Sequence, residues 1–383
     1  APTFITDAIC LLPAGTFQGS MTSHPFFERG SRMSLGAQFL RGFASLCTWF
    51  FAHHTCHADA VDEATRKGVT FLLSEQDKSG AIREFGMNET AMTGLALLAL
   101  GGVGHLPGDP TPEGECAKRA LAFLLSKGVQ DVDGYFGSRD NSRMYGHGIT
   151  TLALSELLGM SPDGPSRERL RDACKRGVDL ILRAQAVPKA RKQDEGGWRY
   201  TPKASDSDLS VSIWQLMALR SAKNAGLEVP SGSIDQAVRY IRNSFRKPPN
   251  PASPTGFSYT PGTVADWSTA AEGLLALQVC GDYEAVEVKD TADWLHLNPP
   301  KGSSSRQRWF YYGTYYYAQG MHQRGGEQAE SAAKSVREAL LPLQEKDGSW
   351  KAVSDTEKNR VYCTAMAILS LSVKYHFLPI YQR

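Results

Sequence analysis

Hydrophobic and polar positions follow a helical spacing along almost the whole chain from residue 61 to residue 383. Apolar residues recur at intervals of three and four, whereas the strict alternation expected of strands is scarce. Six segments are apolar through most of their length and recur roughly every 45 to 65 residues, which is longer than common solenoid repeats. They begin at Asn88, Met144, Asp208, Asp266, Phe310 and Arg360. The pattern predicts six helices that are buried on most of their faces.

Each apolar segment is preceded by an amphipathic one, in which charged residues lie between the apolar positions. These segments are residues 65–76, 117–128, 174–185, 235–245, 289–300 and 329–344. The loops that join the two segments contain a glycine and usually an aromatic residue, as in DGYFG, GGWRY and DGSW. Glycine allows the left-handed backbone conformation that follows many helix ends, and the aromatic ring covers the junction. We therefore predict six helical hairpins.

Six hairpins of this kind can close into a ring. The amphipathic helices would form an outer ring and the apolar helices an inner ring, and closure removes the exposed ends that an open solenoid must cap. We predict that residues 61–383 form one all-α domain, an (α/α)6 toroid. An open superhelix is the alternative.

The N-terminal region has a different character. Residues 33–60 contain Arg41, then an apolar run over residues 43–52, and end in Ala58-Asp59-Ala60, a pattern that signal peptidases accept. The apolar run is too short for a stable membrane span. We predict a signal peptide that is cleaved near Ala60 on export to the periplasm or the exterior, with a disordered extension, residues 1–32, before a true start at Met33. An N-terminal arm with an interfacial helix is the alternative.

Composition and charge exclude some classes of function. The chain is 42% hydrophobic and 21% charged, which is typical of globular proteins, and its net charge of +2 comes with no basic stripe, so we do not expect a nucleic-acid partner. After residue 60 four cysteines remain, far apart and without a CxxC pair: Cys116, Cys174, Cys280 and Cys363. We expect free buried thiols rather than disulfides or a metal site.

Two loops suggest a family. QEKDGSW, residues 344–350, resembles the QW motif of squalene and oxidosqualene cyclases, and residues 181–200 resemble a second copy with an insertion. The chain from residue 61 is similar to the squalene-cyclase and prenyltransferase repeat proteins throughout its six repeats. The resemblance implies an α/α toroid whose central cavity holds an apolar isoprenoid ligand. Aromatic residues of the apolar segments would line it: Tyr145, Trp214, Trp267, Tyr311, Tyr312, Tyr315 and Tyr316.

The same resemblance raises the question of an acid catalyst. Squalene–hopene cyclases protonate an alkene with the central carboxyl of a D-x-D-D-T-A segment, and DSDLS, residues 206–210, is similar to it. Alignment by letters places Asp206 and Asp208 on the first and central acids. Alignment by the following helix places Ser207 at the central position, so one acid is missing in either register. A helix cap is the other interpretation of Asp208, because Asp266 also begins an apolar segment.

Protein prenyltransferase β subunits belong to the same group and bind zinc through Asp, Cys and His. Cys363 lies in the last apolar segment, but there is no D-x-C motif and His376 follows it by more than three helical turns. P-loop, GxSxG, HExxH and dinucleotide-binding motifs are absent from the sequence. We predict no metal and no cofactor.

These observations leave three functions open. The first is a toroid that binds, and cyclises or otherwise transforms, an isoprenoid, with Asp208, Asp206 and Asp266 as candidate acids. Its candidate substrate-binding residues are His147, Trp214, Trp267, Tyr311, Tyr312 and Tyr315. The second is a secreted scaffold without catalysis, and the third is a carbohydrate-active enzyme that uses Asp208 and Asp266 as paired carboxylates. A peripheral membrane contact and the oligomeric state stay open.

Overall fold

The computed structural model describes residues 60–84, 88–161, 164–250, 253–302, 307, 309–354 and 356–382, all of which belong to the second of two compact units, Thr55–Arg383. The described part is built from twelve α-helices. They are α1 (60–74), α2 (Glu89–Gly102), α3 (Pro112–Leu124), α4 (Arg143–Met160), α5 (Pro165–Gln185), α6 (Leu209–Asn224), α7 (Ser231–Asn243), α8 (Trp267–Val279), α9 (Val286–Leu297), α10 (Phe310–Arg324), α11 (Gly326–Leu340) and α12 (Arg360–Leu371). Two short strands, β1 (Phe245–Arg246) and β2 (Gly256–Phe257), pair antiparallel. The predicted signal peptide and the extension before it lie outside the described residues, except for Ala60.

The even-numbered helices form a closed inner ring. Each packs on the next, from α2 through α4, α6, α8 and α10 to α12, and α12 packs back on α2. Every residue of α2 and of α8 is buried, as expected for helices with neighbours on all sides. The closed contact between α12 and α2 confirms the predicted (α/α)6 toroid.

The odd-numbered helices lie outside this ring and bury only one stripe each. In α11 the buried residues are Ala332, Val336 and Leu340, spaced four apart, and in α7 only four of thirteen residues are buried. Outer helices α5, α7, α9 and α11 each contact both the inner helix before and the inner helix after them in the chain. The spacing of apolar residues in the sequence therefore distinguishes the outer helices, which bury one stripe, from the inner helices, which are buried on most sides.

A glutamine joins neighbouring hairpins at four junctions. In each case its Nε2 donates to the carbonyl of a loop glycine and to a carbonyl within the next outer helix. The pairs of acceptors are Gly80 and Cys116 for Gln76, Gly134 and Ala173 for Gln130, Gly196 and Ser233 for Gln185, and Gly348 and Ala64 for Gln344, at 2.8–3.0 Å. The last of these bonds reaches α1 from the final loop, so it closes the ring between the sixth hairpin and the first.

The loop glycines at these junctions permit a close backbone approach. Each has a φ near +90°, and a Cβ added to Gly348 would lie 2.3 Å from the carbonyl oxygen of Lys67 in α1. Two residues after this glycine, Trp350 is fully buried and its Nε1 donates to the carbonyl of Leu340 at the end of α11. Trp198 makes the same bond to Ile181. The glycine thus fixes the approach of the hairpins and the tryptophan fills their junction.

The C-terminal segment covers the end of the inner ring where its helices terminate. Leu378 lies against α2, and Ile380 donates its backbone N–H to Glu156 of α4 at 3.1 Å. Tyr381 hydrogen-bonds through its hydroxyl to Tyr315 of α10. The segment also packs on α6, so it contacts four inner helices and covers the ring at this end.

Among the described helices, none is both long and apolar enough to cross a membrane. The four cysteines after residue 60 are free, with Cys116, Cys174 and Cys363 buried and Cys280 half-buried.

Candidate functional site

A cavity of about 660 Å³ lies inside the inner ring at the N-terminal ends of its helices. This volume falls within the range of small-molecule binding sites. All six inner helices contribute to its wall through their first turns or the residues just before them. Its lining includes Asn88, Met92, Asn141, Arg143, Tyr145, Ile149, Ser210, Trp214, Tyr259, Asp266, Glu272, Trp309, Tyr312, Glu357, Lys358, Tyr362 and Met366.

The cavity has a polar mouth and an apolar, aromatic interior. Asn141, Arg143, Asp266 and Lys358 are exposed at the mouth. The buried part of the wall includes Met92, Ile149, Trp214, Tyr312 and Met366. Such a cavity suits a ligand with a long apolar body and one polar end.

Asp208, the first candidate acid, is fully buried and is not part of the cavity lining. Its Oδ1 accepts a bond from the backbone N–H of Val211 at 2.8 Å and so caps α6, while its Oδ2 pairs with Arg199 Nη1 at 2.9 Å. Burial raises the pKa of Asp208 to about 6, and the cap and Arg199 oppose that rise. The carboxyl is therefore ionised at pH 7, which is the wrong state for a proton donor.

The other two candidate acids differ in position. Asp206 is half exposed and pairs with Arg199 Nε at 3.2 Å, outside the cavity. Asp266 lies at the mouth, where its Oδ1 accepts from the Thr269 N–H at 3.0 Å and from the Ser268 hydroxyl at 2.8 Å. It forms a capping box at the start of α8. The structure thus brings only Asp266 to the cavity.

Three of the seven aromatic residues predicted to line the cavity do so, Tyr145 among them, and four do not, Tyr316 among them. Trp214 and Tyr312 form part of its wall. Tyr315 lies behind them and stacks on Trp214, with ring centroids 6.0 Å apart and planes 7° apart. Trp267 stacks on Tyr317 and donates to the Asn298 carbonyl, whereas the Tyr311 hydroxyl donates to the Lys351 carbonyl. Trp267, Tyr311 and Tyr315 therefore pack around the cavity without lining it.

His147, also predicted to bind substrate, lies away from the cavity and is fully buried. Its Nδ1 accepts from the Phe136 N–H at 3.3 Å, which leaves Nε2 to donate to the Gly177 carbonyl at 3.1 Å. Burial lowers its pKa to about 4. This histidine is neutral at pH 7 and connects α4, the preceding loop and α5.

Glu272 was missed in the sequence and is the buried acid of the cavity wall. It lies in the second turn of α8 and is 1% exposed. Its Oε1 accepts from the Ser210 hydroxyl at 3.2 Å, and its Oε2 has no hydrogen-bond partner. Burial raises its pKa well above the usual value, with Asp266 and Asp208 adding to the rise. Burial therefore favours the protonated form of Glu272 over the carboxylate.

Three carboxyl side chains line the cavity in the described part of the chain: Asp266, Glu272 and Glu357. Glu357 is buried too, but both of its oxygens accept bonds, from the N–H groups of Tyr311 and Tyr312 and from the Tyr362 hydroxyl. Only Glu272 combines deep burial with an unpartnered oxygen. The sequence contained a signal for it, since Glu272 interrupts an otherwise apolar segment.

Within the described ranges, no three His, Cys, Asp or Glu side chains lie together as metal ligands would.

Solved structures share this fold. Type II terpene cyclase MstE from Scytonema, in its apo form, matches with a TM-score of 0.52 and 14% sequence identity, over 84% of this chain and 100% of that chain. A variant of MstE in complex with geranylgeranyl dihydroxybenzoate, its substrate, matches with a TM-score of 0.53 and 14% identity, over 84% and 98%. A protein from Actinoplanes matches with a TM-score of 0.52 and 15% identity, over 82% and 99%.

No family model matches the chain, and no curated protein matches it either. At these low identities the structural likeness shows the fold alone. The chain has a terpenoid-cyclase-like α/α toroid fold.

Proposed function

We propose that the central cavity binds an isoprenoid and that Glu272 protonates it to start a cyclisation. The observation that carries this proposal is a fully buried carboxyl in the wall of an aromatic cavity of about 660 Å³, with one oxygen that has no partner among the described residues. Burial raises the pKa of this carboxyl and so favours its protonated form. The likeness in fold to MstE, which binds a geranylgeranyl substrate, supports the choice of ligand.

The chemistry requires an acid that holds its proton until the ligand excludes water. Glu272 gives that proton to the terminal alkene or epoxide of the ligand, and the next double bond attacks the resulting carbocation. Loss of a proton ends the sequence, so the product is an isomer of the substrate. Aromatic faces such as Trp214 and Tyr312 stabilise the cation by ~2 kcal/mol each when desolvated.

The strength of the acid favours one class of isoprenoid. Among the described residues Glu272 accepts one hydrogen bond, from Ser210, and burial raises its pKa, so it is a weak acid. A weak acid protonates an epoxide oxygen more readily than an alkene carbon, because oxygen is the stronger base. An isoprenoid with a terminal epoxide is therefore the substrate to test first.

The two alternative functions, a carbohydrate-active enzyme and a non-catalytic scaffold, require different features of the structure. A carbohydrate-active enzyme would need Asp208 and Asp266 to face one groove, but Asp208 is buried against Arg199 outside the cavity. A non-catalytic scaffold needs neither a cavity nor a protonated acid, and it is the outcome that the experiment below would favour if no turnover occurred. Export after cleavage near Ala60 stays a separate proposal.

Turnover of geranylgeraniol and of its terminal epoxide tests the proposal. We expect isomeric cyclic products of unchanged mass, detected by gas chromatography with mass spectrometry, and a loss of at least ~100-fold in rate for Glu272→Gln. Gln has the shape of the protonated acid but carries no acidic proton, so the melting temperature should change little.

Glu156→Gln is the matched control, because Glu156 is equally buried but lies near the other end of the ring, held by Ser221 and Ile380. This variant should keep its turnover. Equal rates for wild type and Glu272→Gln would rule out Glu272 as the proton donor.

A further inference from the structure

Three residues at the cavity mouth have a left-handed backbone. Asn88, Asn141 and Arg143 have φ values of 58°, 60° and 57°, and they are three of the four non-glycine residues with positive φ in the described part of the chain. Asparagine tolerates this conformation, whereas arginine rarely adopts it. Strained residues concentrate at sites that bind ligands. Among these three residues, Arg143 is therefore the one whose left-handed backbone is unusual for its residue type.

The fold holds Arg143 in place through its backbone. Its N–H donates to the Gly137 carbonyl at 3.0 Å, and a Cβ on Gly137 would lie 1.9 Å from the carbonyl oxygen of Arg143. The next residue, Met144, donates its N–H to the Tyr200 carbonyl at 3.1 Å. These contacts involve only the backbone of Arg143. They fix the position of its Cα atom, and none of them involves the charged guanidinium group.

The guanidinium of Arg143 makes no ion pair with any residue that the structure describes. Among those residues it makes one hydrogen bond, from Nε to Asn141 Oδ1 at 3.3 Å, which leaves both terminal nitrogens available to a ligand. The other arginines near this end are paired, since Arg199 binds Asp208 and Arg139 binds Glu89. An unpaired guanidinium at the mouth of a ligand cavity is suited to a bidentate contact with an anion.

The carboxylates nearest to Arg143 are already engaged by other groups. Asp140 lies just before α4, where its Oδ1 accepts from the N–H and the hydroxyl of Ser142 and its Oδ2 accepts from the Thr90 N–H of α2. Asp266 is exposed at the same mouth, and its Oδ1 accepts two bonds at the start of α8. These carboxylates cap helices, so the guanidinium of Arg143 is left for a ligand.

We propose that the ligand of the cavity is an isoprenoid with an anionic head group, which Arg143 binds at the mouth while the chain extends into the interior. This inference rests on the proposed function and specifies its substrate class. Carboxylate and phosphate head groups share the chemistry that a guanidinium recognises, so both belong in the test.

The test is equilibrium binding of three probes that share one C20 chain: geranylgeraniol, geranylgeranoic acid and geranylgeranyl phosphate. We expect the wild type to bind at least one anionic probe about tenfold or more tightly than the alcohol. Arg143→Asn should abolish this preference and leave the affinity for the alcohol unchanged. Arg143→Lys should keep part of the preference, because the charge remains.

Two further measurements separate binding from folding. Asparagine accepts the left-handed backbone, so Arg143→Asn should melt at the same temperature as the wild type or higher. Arg171→Asn is the matched control, since Arg171 is partly exposed on α5 and donates to the Gly226 carbonyl away from the cavity; it should keep the preference for the anion.

The outcomes are distinct. If the wild type binds the acid, the phosphate and the alcohol equally, or if Arg143→Asn keeps the preference, the head-group proposal is wrong while the proposed function stands. Binding of none of the three probes would overturn both. Stronger binding of the phosphate than of the acid supports the proposal and selects phosphate as the head group.

Discussion

His147 occupies a position that recurs in the repeats. In three other hairpins the backbone N–H two residues after the loop glycine donates to a hydroxyl of the following inner helix, from Ile82 to Thr93, Trp198 to Ser212 and Trp350 to Thr364. In the second hairpin the acceptor is the Nδ1 of His147. The sequence showed a lone histidine near the start of a helix, and the repeat explains it as a junction residue.

The buried state of His147 predicts a dependence of stability on pH. Its pKa is about 4 in the folded protein against an ordinary 6.5, so below pH 6.5 the unfolded chain binds a proton that the folded chain does not. Stability from this residue is present above pH 6.5 and is lost as the pH falls towards 4, by ~2.5 kcal/mol at pH 4.5.

His147→Gln should remove this dependence, because Gln can accept from Phe136 and donate to Gly177 without titrating. The measurement is the free energy of unfolding by urea at pH 7 and pH 4.5, taken as the difference between wild type and variant. Partly exposed His105, changed to Gln, controls for the loss of a histidine elsewhere. An unchanged difference at the two pH values would mean that His147 is not buried as described.

At the scale of elements, the hairpins are joined by repeated glutamine and glycine contacts. Gln344 connects the last loop to α1, and Gly348 lies so close to Lys67 that a side chain has no room. Gly226, after α6, has a similar φ of +81° but no heavy atom within 4 Å of an added Cβ. A side chain at Gly226 would cost only the free energy of a left-handed backbone, whereas a side chain at Gly348 would also clash with the neighbouring hairpin. Comparing substitutions at the two glycines therefore measures the clash by itself.

Gly348→Ala should therefore destabilise the protein much more than Gly226→Ala. A left-handed alanine costs about 1 kcal/mol at either site, and the clash with Lys67 at Gly348 raises the total to ~3 kcal/mol or more. Urea unfolding of the two variants measures the difference. Similar losses at both sites would show that the sixth hairpin does not pack on the first.

Much of the element-level structure was predictable from the sequence. The apolar segments that begin at Asn88, Asp208 and Asp266 became helices that start one residue later, because period and capping residues are local signals. The proposed acid, Glu272, was not predictable in this way. Glu156 and Glu272 both interrupt apolar inner helices, and only the tertiary arrangement shows that Glu272, in the second turn of its helix, lies at the cavity.

The charge state of Asp208 was not predictable for a related reason. The sequence shows that Asp208 precedes α6, and capping was one interpretation of it, but the partner that fixes its charge, Arg199, belongs to the preceding loop. Long-range neighbours decide whether a carboxyl is ionised, and spacing along one segment does not contain them.

At the scale of the whole molecule, the toroid has two different ends. Helix N-termini surround the cavity and its polar mouth, whereas the C-terminal segment packs across α2, α4 and α10 at the other end. Trp214 of the cavity wall stacks on Tyr315 and packs edge-on against Tyr316, so the rings behind this part of the wall are in mutual contact. A ligand therefore has room at the end that carries Arg143 and Glu272.

Binding of geranylgeraniol, followed by isothermal titration calorimetry, tests the cavity most directly. The wild type should bind one molecule per chain. Ile149→Trp, which enlarges a buried residue of the cavity wall, should lose binding, and Val132→Trp, which adds the same ring at a site that is 96% exposed, should bind like the wild type. No saturable binding by the wild type, or equal binding by all three proteins, would contradict a ligand site inside the ring.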